Sequence, residues 1–320
     1  MNKSRRIPQK SLILPETIPL IIPDFKNHCE NYVPLTLAFD KVDSEKWFFN
    51  FVDTVVSKIG KEYFPIMRLS DGEYTLLLGF HYPYVLGHSF KKYFNKVVVT
   101  AKNKLFKKKY FNAATLPGVS SGNYNISEIE REQKRIVDQI RVIAKNGVLA
   151  LHLTYPLRPF QEHFHLPLKI WLNKNNIELN RKNYYPFYFV YALLRGSHRS
   201  KIFAGRKILV LHSATGIKRE NIISALKSEG VEEVIWYGIS TNRSLFDKIE
   251  LQKKFYSAEL ALVGAGVGKF NIITQLESLK IPCIDAGFVF EVWADDENKW
   301  KRPMMVPDWD WDREKMLFLR

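Results

Sequence analysis

Apolar positions along the 320-residue chain change period several times, and each change marks an element. Trp47, Phe48, Phe51, Val52, Val55 and Ile59 fall at helical spacing behind Ser44, which predicts a helix capped by Ser44 and running to about Ile59. The apolar run at 64–69 predicts a strand, which ends on the acidic tripeptide Asp71-Gly72-Glu73. From Ser127 onward, Ile129, Ile136, Val137, Ile140 and Ile143 share one helical face, and Asn146-Gly147 supplies a C-terminal stop. GVLALHLTY then reads as a buried strand, followed by an aromatic segment at 184–194.

Beyond residue 200 the alternation becomes regular. KILVLH, VEEVIWYG, AELALVGAG and IPCIDAG read as strands, with helices expected at 218–229, 244–257 and 269–279. Strands alternating with helices predict an α/β fold, a Rossmann-like parallel sheet flanked by helices. Residues 1–42 are spaced by prolines and carry no clear period, so they read as an N-terminal arm. Residues 43–300 form the expected single catalytic domain, and 301–320 a tail.

Composition narrows the class. About 46% of the residues are apolar, enough for a sizeable core. No run of about 18 apolar residues predicts a transmembrane helix. Prolines 8, 15, 19 and 23 break the N-terminal apolar stretch and argue against a signal peptide. The two cysteines, Cys29 and Cys283, lie far apart in sequence, and a reduced cytoplasmic setting is expected.

The net charge of +15 favours anionic partners. Residues 91–110 hold eight lysines and no acid, interleaved with Tyr93, Phe94, Phe106 and Tyr110. This segment reads as a solvated face or as a peripheral contact with an anionic membrane at its inner face. No motif for specific nucleic-acid recognition is present.

Candidate chemistry gathers at strand ends, where parallel sheets bind ligands. LHSATG leads a strand into a helix through small residues and a hydroxyl. In VGAGVGK, Gly264, Gly266 and Gly268 allow close backbone approach, and Lys269 adds a charge. The spacing matches neither the dinucleotide fingerprint nor the Walker loop, and a tight turn without ligand is the competing reading. Asp285 at the next strand end can bind a hydroxyl or cap a turn. In an extended or turn conformation about Gly72, Asp71 and Glu73 converge as hard oxygen ligands suited to Mg²⁺ or Mn²⁺. Arg68 can add a bidentate clamp. The alternative is that Asp71 only caps a helix beginning near Glu73.

Together, Arg68-Leu69-Ser70-Asp71-Gly72-Glu73 resembles the R-x-G-D-G-E signature of the GT-D fold glycosyltransferases, a family first described as a domain of unknown function. The strand, glycine turn, helix and Asp-x-Gly ending from Glu259 to Trp293 resemble that family's C-terminal part, and the similarity spans roughly residues 45–295. The resemblance implies a GT-D type domain and a metal-dependent glycosyltransferase. Such an enzyme moves a hexose from a nucleotide-sugar donor, UDP-glucose or UDP-galactose, to a glycan or lipid-linked acceptor in cell-surface polysaccharide or glycoprotein synthesis. It also implies Mn²⁺ or Mg²⁺ at Asp71 and Glu73, and donor contacts at Arg68, Gly264, Gly266, Lys269 and Asp285.

Glu291 and His88 are candidates for a general base if transfer inverts the anomeric centre. Ser70 replaces a glycine of the signature, Ala265-Gly266 stands where proline and threonine are common, and Phe288 stands where some members have histidine or serine. Alternative readings are another nucleotide-dependent phospho- or nucleotidyltransferase, and a basic non-catalytic binding module.

Overall fold

The computed structural model describes residues 43–69, 71–78, 126–151, 168 and 170–301, together with short strands at 17–18, 35–37, 111–112, 123–124 and 154–155. His88, the basic segment 91–110 and the tail beyond residue 301 lie outside the described residues, as does most of the arm. The arm's two described strands, Thr17–Ile18 and Leu35–Leu37, pair antiparallel with each other, and the second also pairs with Thr154–Tyr155.

Helix α1 (Ser44–Lys58) leads to strand β1 (Phe64–Leu69) and helix α2 (Asp71–Leu78). Helix α3 (Ile126–Asn146) precedes β2 (Val148–Leu151), and β3 (Tyr184–Pro186) runs directly into α4 (Phe187–Arg195). Then follow β4 (Lys207–His212), α5 (Gly216–Ser228), β5 (Glu233–Gly238) and β6 (Leu260–Gly264). Helix α6 (Lys269–Gln275), β7 (Pro282–Asp285) and α7 (Val289–Ala294) complete the domain. The seven strands form one sheet in the order β5-β4-β6-β7-β1-β2-β3, and every neighbouring pair is parallel. The α/β architecture expected from the alternation is therefore present.

Helices cover both faces of a parallel sheet, so central strands are continuously apolar. All six residues of β1 and all four of β7 are buried, whereas the edge strand β5 buries only Ile235. Helix α1 packs Trp47, Phe48 and Phe51 onto β3 and α4. Trp47 and Phe48 meet Phe189 edge-on, each at 5.3 Å between centroids, and Phe51 lies 4.6 Å from Tyr185. Such pairs add about 0.5–1.5 kcal/mol each beyond their buried area.

Several local expectations change. Asp43, not Ser44, caps α1, its carboxylate accepting from the amides of Glu45 and Lys46. GVLALHLTY splits, with Val148–Leu151 joining the main sheet and Thr154–Tyr155 pairing with the arm. The aromatic segment supplies a seventh strand and a helix. Residues 244–257 hold two 3₁₀ turns, Ser244–Phe246 and Lys253–Ser257, instead of the expected helix. Side chains of α6 take the backbone between them: Asn271 Nδ2 and Gln275 Nε2 donate to the Asp247 carbonyl at 2.6 and 3.0 Å, and Gln275 Oε1 accepts from the Ile249 amide at 2.8 Å.

The connection from β4 leads outward to β5, while the connection from β6 leads the opposite way to β7. Adjacent β4 and β6 therefore flank a topological switch point, where open α/β sheets leave a ligand crevice beyond the carboxyl ends of the strands.

The α3–β2 turn is fixed by close approach. A Cβ at Gly147 would stand 2.0 Å from the Pro65 carbonyl oxygen of the neighbouring strand. Gly147→Ala is expected to destabilise the domain by roughly 1–3 kcal/mol, the usual cost of overpacking, measured by urea denaturation against the wild type.

Candidate functional site

The carboxyl ends of β1 and β7 carry a buried cluster of four charges. Arg68 ends its side chain on Asp285: Nε donates to the Asp285 carbonyl at 2.8 Å and Nη2 to its Oδ1 at 3.1 Å. The Arg68 amide also donates to Oδ2 at 3.2 Å. Lys269, the first residue of α6, places Nζ 2.8 Å from Asp285 Oδ2 and 2.7 Å from Glu73 Oε1. Arg68, Lys269, Asp285 and Glu73 are 4%, 4%, 1% and 8% exposed, so the set is dry and its formal charges cancel. The Arg68 guanidinium lies over Tyr191 and Phe187, 4.6 and 5.1 Å from the ring centroids, and its Nη1 is buried with no hydrogen-bond partner.

Burial opposes every charge in this set, and the neighbours outweigh it. Desolvation alone would raise the Asp285 carboxyl, but Arg68 and Lys269 hold it below the usual carboxylate range. Burial would lower Lys269 and Arg68, yet Asp285 and Glu73 keep both pKa values above their ordinary ones. Gly287 makes room for the arrangement. It sits at φ +45°, and a Cβ there would stand 1.8 Å from Arg68 Nη2.

The glycine turn after β6 packs tightly too. A Cβ on Gly264 would meet His212 Cδ2 at 2.4 Å and Phe290 Cδ2 at 2.5 Å, and one on Gly268 would meet Ser244 Oγ at 2.2 Å. Gly266 takes φ +51° and opens a 3₁₀ turn. Gly264 and Gly268 thus let protein groups approach the backbone, and Lys269 is turned inward onto two carboxylates. That is where the structure departs from an exposed phosphate-binding turn with a free lysine.

The acidic tripeptide also differs from its expected form. Helix α2 begins at Asp71 itself, so Asp71 and Glu73 belong to a first helical turn. Glu73 moreover spends an oxygen on Lys269. Of the two carboxylates expected to hold a divalent ion, Glu73 is therefore already engaged by Lys269. Asp71 remains the motif's other carboxylate, with its side chain outside those described.

Glu291 sits in α7 beside the switch point. Both its carboxylate oxygens accept from Lys218 Nζ, at 2.7 and 2.8 Å, and both side chains are about two-fifths exposed. As it stands, Glu291 is an ion-pair partner.

Two residues not singled out by sequence reasoning are prominent. His212 ends β4 beneath Phe290, with ring centroids 4.5 Å apart. Its signal in the sequence was a polar residue closing the apolar run KILVL. Tyr191, whose ring backs Arg68, belongs to an aromatic run with no such signal.

No family profile and no curated protein matches the chain. The chain matches a solved structure described as the selenomethionine-substituted structure of domain of unknown function 1792 (DUF1792), with a TM-score of 0.44 and 14% identity. The match covers 81% of this chain and 87% of that one, and DUF1792 is the designation of the GT-D glycosyltransferases. At that TM-score and identity the likeness says nothing about substrates or site residues.

Asp285→Asn should cost about 3–5 kcal/mol, because Arg68 and Lys269 then share one buried counter-charge. The depressed Asp285 carboxyl lends stability that is fully present above about pH 4 and is lost as pH falls through its lower folded value. The raised Lys269 lends stability present below about pH 10 and lost as pH rises through its higher folded value. Urea denaturation across pH should therefore give the wild type an acid limb that Asp285→Asn flattens.

Proposed function

We propose that the chain is a glycosyltransferase that moves a hexose from a nucleoside diphosphate sugar to a glycan or lipid-linked acceptor. The observation that supports this best is the joining of the two halves of the sequence signature. Arg68 and Asp285, 217 positions apart, bind each other directly, and Lys269 ties Glu73 to the same carboxylate. The acidic motif, the glycine turn and the Asp-x-Gly ending thus meet at one end of one parallel sheet, where ligands of such sheets bind.

In this reading the cluster orients and the open surroundings bind. Lys269 and Glu73 fix the first turns of α6 and α2 against β7, which sets the position of Asp71. The divalent ion implied by the resemblance would meet Asp71, since Glu73 is engaged by Lys269. When bound, such an ion offsets negative charge that develops on a diphosphate leaving group.

Calorimetric titration tests the proposal, using UDP and the other nucleoside diphosphates with and without Mn²⁺. The wild type should bind at least one of them, with the metal strengthening binding. Asp71→Asn should remove the metal-dependent part while leaving the denaturation midpoint unchanged. Absence of binding by every nucleoside diphosphate would sink the transferase reading. Binding of nucleoside triphosphates together with phosphoryl transfer would replace it with a phosphotransferase.

A further inference from the structure

Lys269 stands at the first position of α6, where a cation opposes the helix dipole. Its helix therefore gives no reason for the charge, and the carboxylates around it do. Only 4% of the residue is exposed. Its Nζ lies 2.7 Å from Glu73 Oε1 and 2.8 Å from Asp285 Oδ2. One ammonium thus bridges the acidic motif after β1 and the end of β7. Asp285 also accepts from Arg68, through Oδ1 from Nη2 and through Oδ2 from the amide.

Mg²⁺ takes its oxygen ligands at about 2.0–2.1 Å. An ion at that distance from Glu73 Oε1 would stand close against the Lys269 ammonium, which already occupies the same oxygen. Two cations side by side in a dry interior repel strongly, so the ion and the ammonium exclude each other there. The ammonium is tethered to the site by its own chain and is present at high effective concentration. A free ion has to displace it to reach Glu73. Hard divalent ions need several oxygen ligands, and phosphate oxygens of a substrate can supply those that the protein withholds.

We infer that Lys269 is a positioning residue that makes ion uptake depend on the donor. It keeps Glu73 as a resident cation, so a divalent ion enters together with the nucleoside diphosphate and not ahead of it. The ion and the donor rest on the transferase reading, whereas the hold of Lys269 on Glu73 does not.

Thermal denaturation with and without Mn²⁺, and calorimetry with Mn²⁺ alone and with Mn²⁺ plus UDP, test the inference on the full chain. The variants are Lys269→Met, Glu73→Gln and the two combined. The wild type should take up Mn²⁺ at least about tenfold more weakly without UDP than with it. Lys269→Met leaves two buried carboxylates to Arg68 alone, and Mn²⁺ can then fill the vacated place. Saturating Mn²⁺ should raise the midpoint of this variant by about 5 °C or more without any nucleotide. The combined variant should lose that response, which a merely destabilised protein would not distinguish. If Lys269→Met fails to fold, Glu73→Gln decides. Its Mn²⁺-dependent UDP affinity should stay within about threefold of the wild type, and a loss as large as that of Asp71→Asn would overturn the inference. Tight uptake of Mn²⁺ alone by the wild type, matching Lys269→Met, would overturn it too and leave the transferase reading standing. No UDP binding by the wild type would sink the transferase reading and the dependence on the donor together. A Mn²⁺-raised midpoint confined to Lys269→Met would even then keep Lys269 as the resident cation.

Discussion

Four charges buried together at the ends of β1 and β7 constrain everything around them. Taking an ion out of water costs several kcal/mol, which an opposite charge offsets only with good geometry and further hydrogen bonds. Here every member has an opposite charge within 3.1 Å, and Asp285 engages Arg68 and Lys269 at once. The arrangement tolerates little displacement. The starts of α2 and α6 and the end of β7 are tied to β1 by these charges. Gly287 follows from the same constraint, since only a residue without a side chain leaves Arg68 its place.

A neutral, dry cluster is a poor ligand site in itself, because each of its charges already has an opposite charge beside it. Its effect on function is through position. Two strands away, at the β4–β6 switch point, the balance is the reverse. The described groups there are a part-exposed turn, a neutral histidine bonded to it and a lysine in a part-exposed ion pair. The two places lie beside each other along one edge of the sheet. The glycines after β6 link them, because the Gly264 backbone lies against His212 while Lys269 reaches the cluster.

Much of the sheet was legible in the sequence, because central parallel strands must be apolar on both faces and therefore appear as unbroken runs. KILVLH became β4 residue for residue, and IPCIDAG contains β7 at Pro282–Asp285. The edge strand β3 was not legible, since Tyr184-Tyr185-Pro186 runs into the apolar helix α4 without an intervening turn signal. Residues 244–257 have helical composition, yet Asn271 and Gln275 from another element claim their carbonyl and amide groups. The site shows the same limit. Spacing marked Arg68, Glu73, Lys269 and Asp285 as chemically important, but it could not show that they would neutralise one another. That is a property of three-dimensional pairing. Gly264 and Gly268 were marked for close approach, and the approaching groups are His212, Phe290 and Ser244 from the chain itself.

The Lys218–Glu291 pair differs in kind from that buried set. With each side chain about two-fifths exposed, water screens the pair, and its net worth falls in the range of about 0–1 kcal/mol typical of exposed ion pairs. Separating Lys218 from Glu291 would therefore cost little. Separating the buried set would instead strand a charge in a dry interior at several kcal/mol. The two ion-pair systems therefore suit opposite tasks: Asp285 with Arg68 and Lys269 is deep enough to be permanent, and Glu291 with Lys218 is shallow enough to exchange partners.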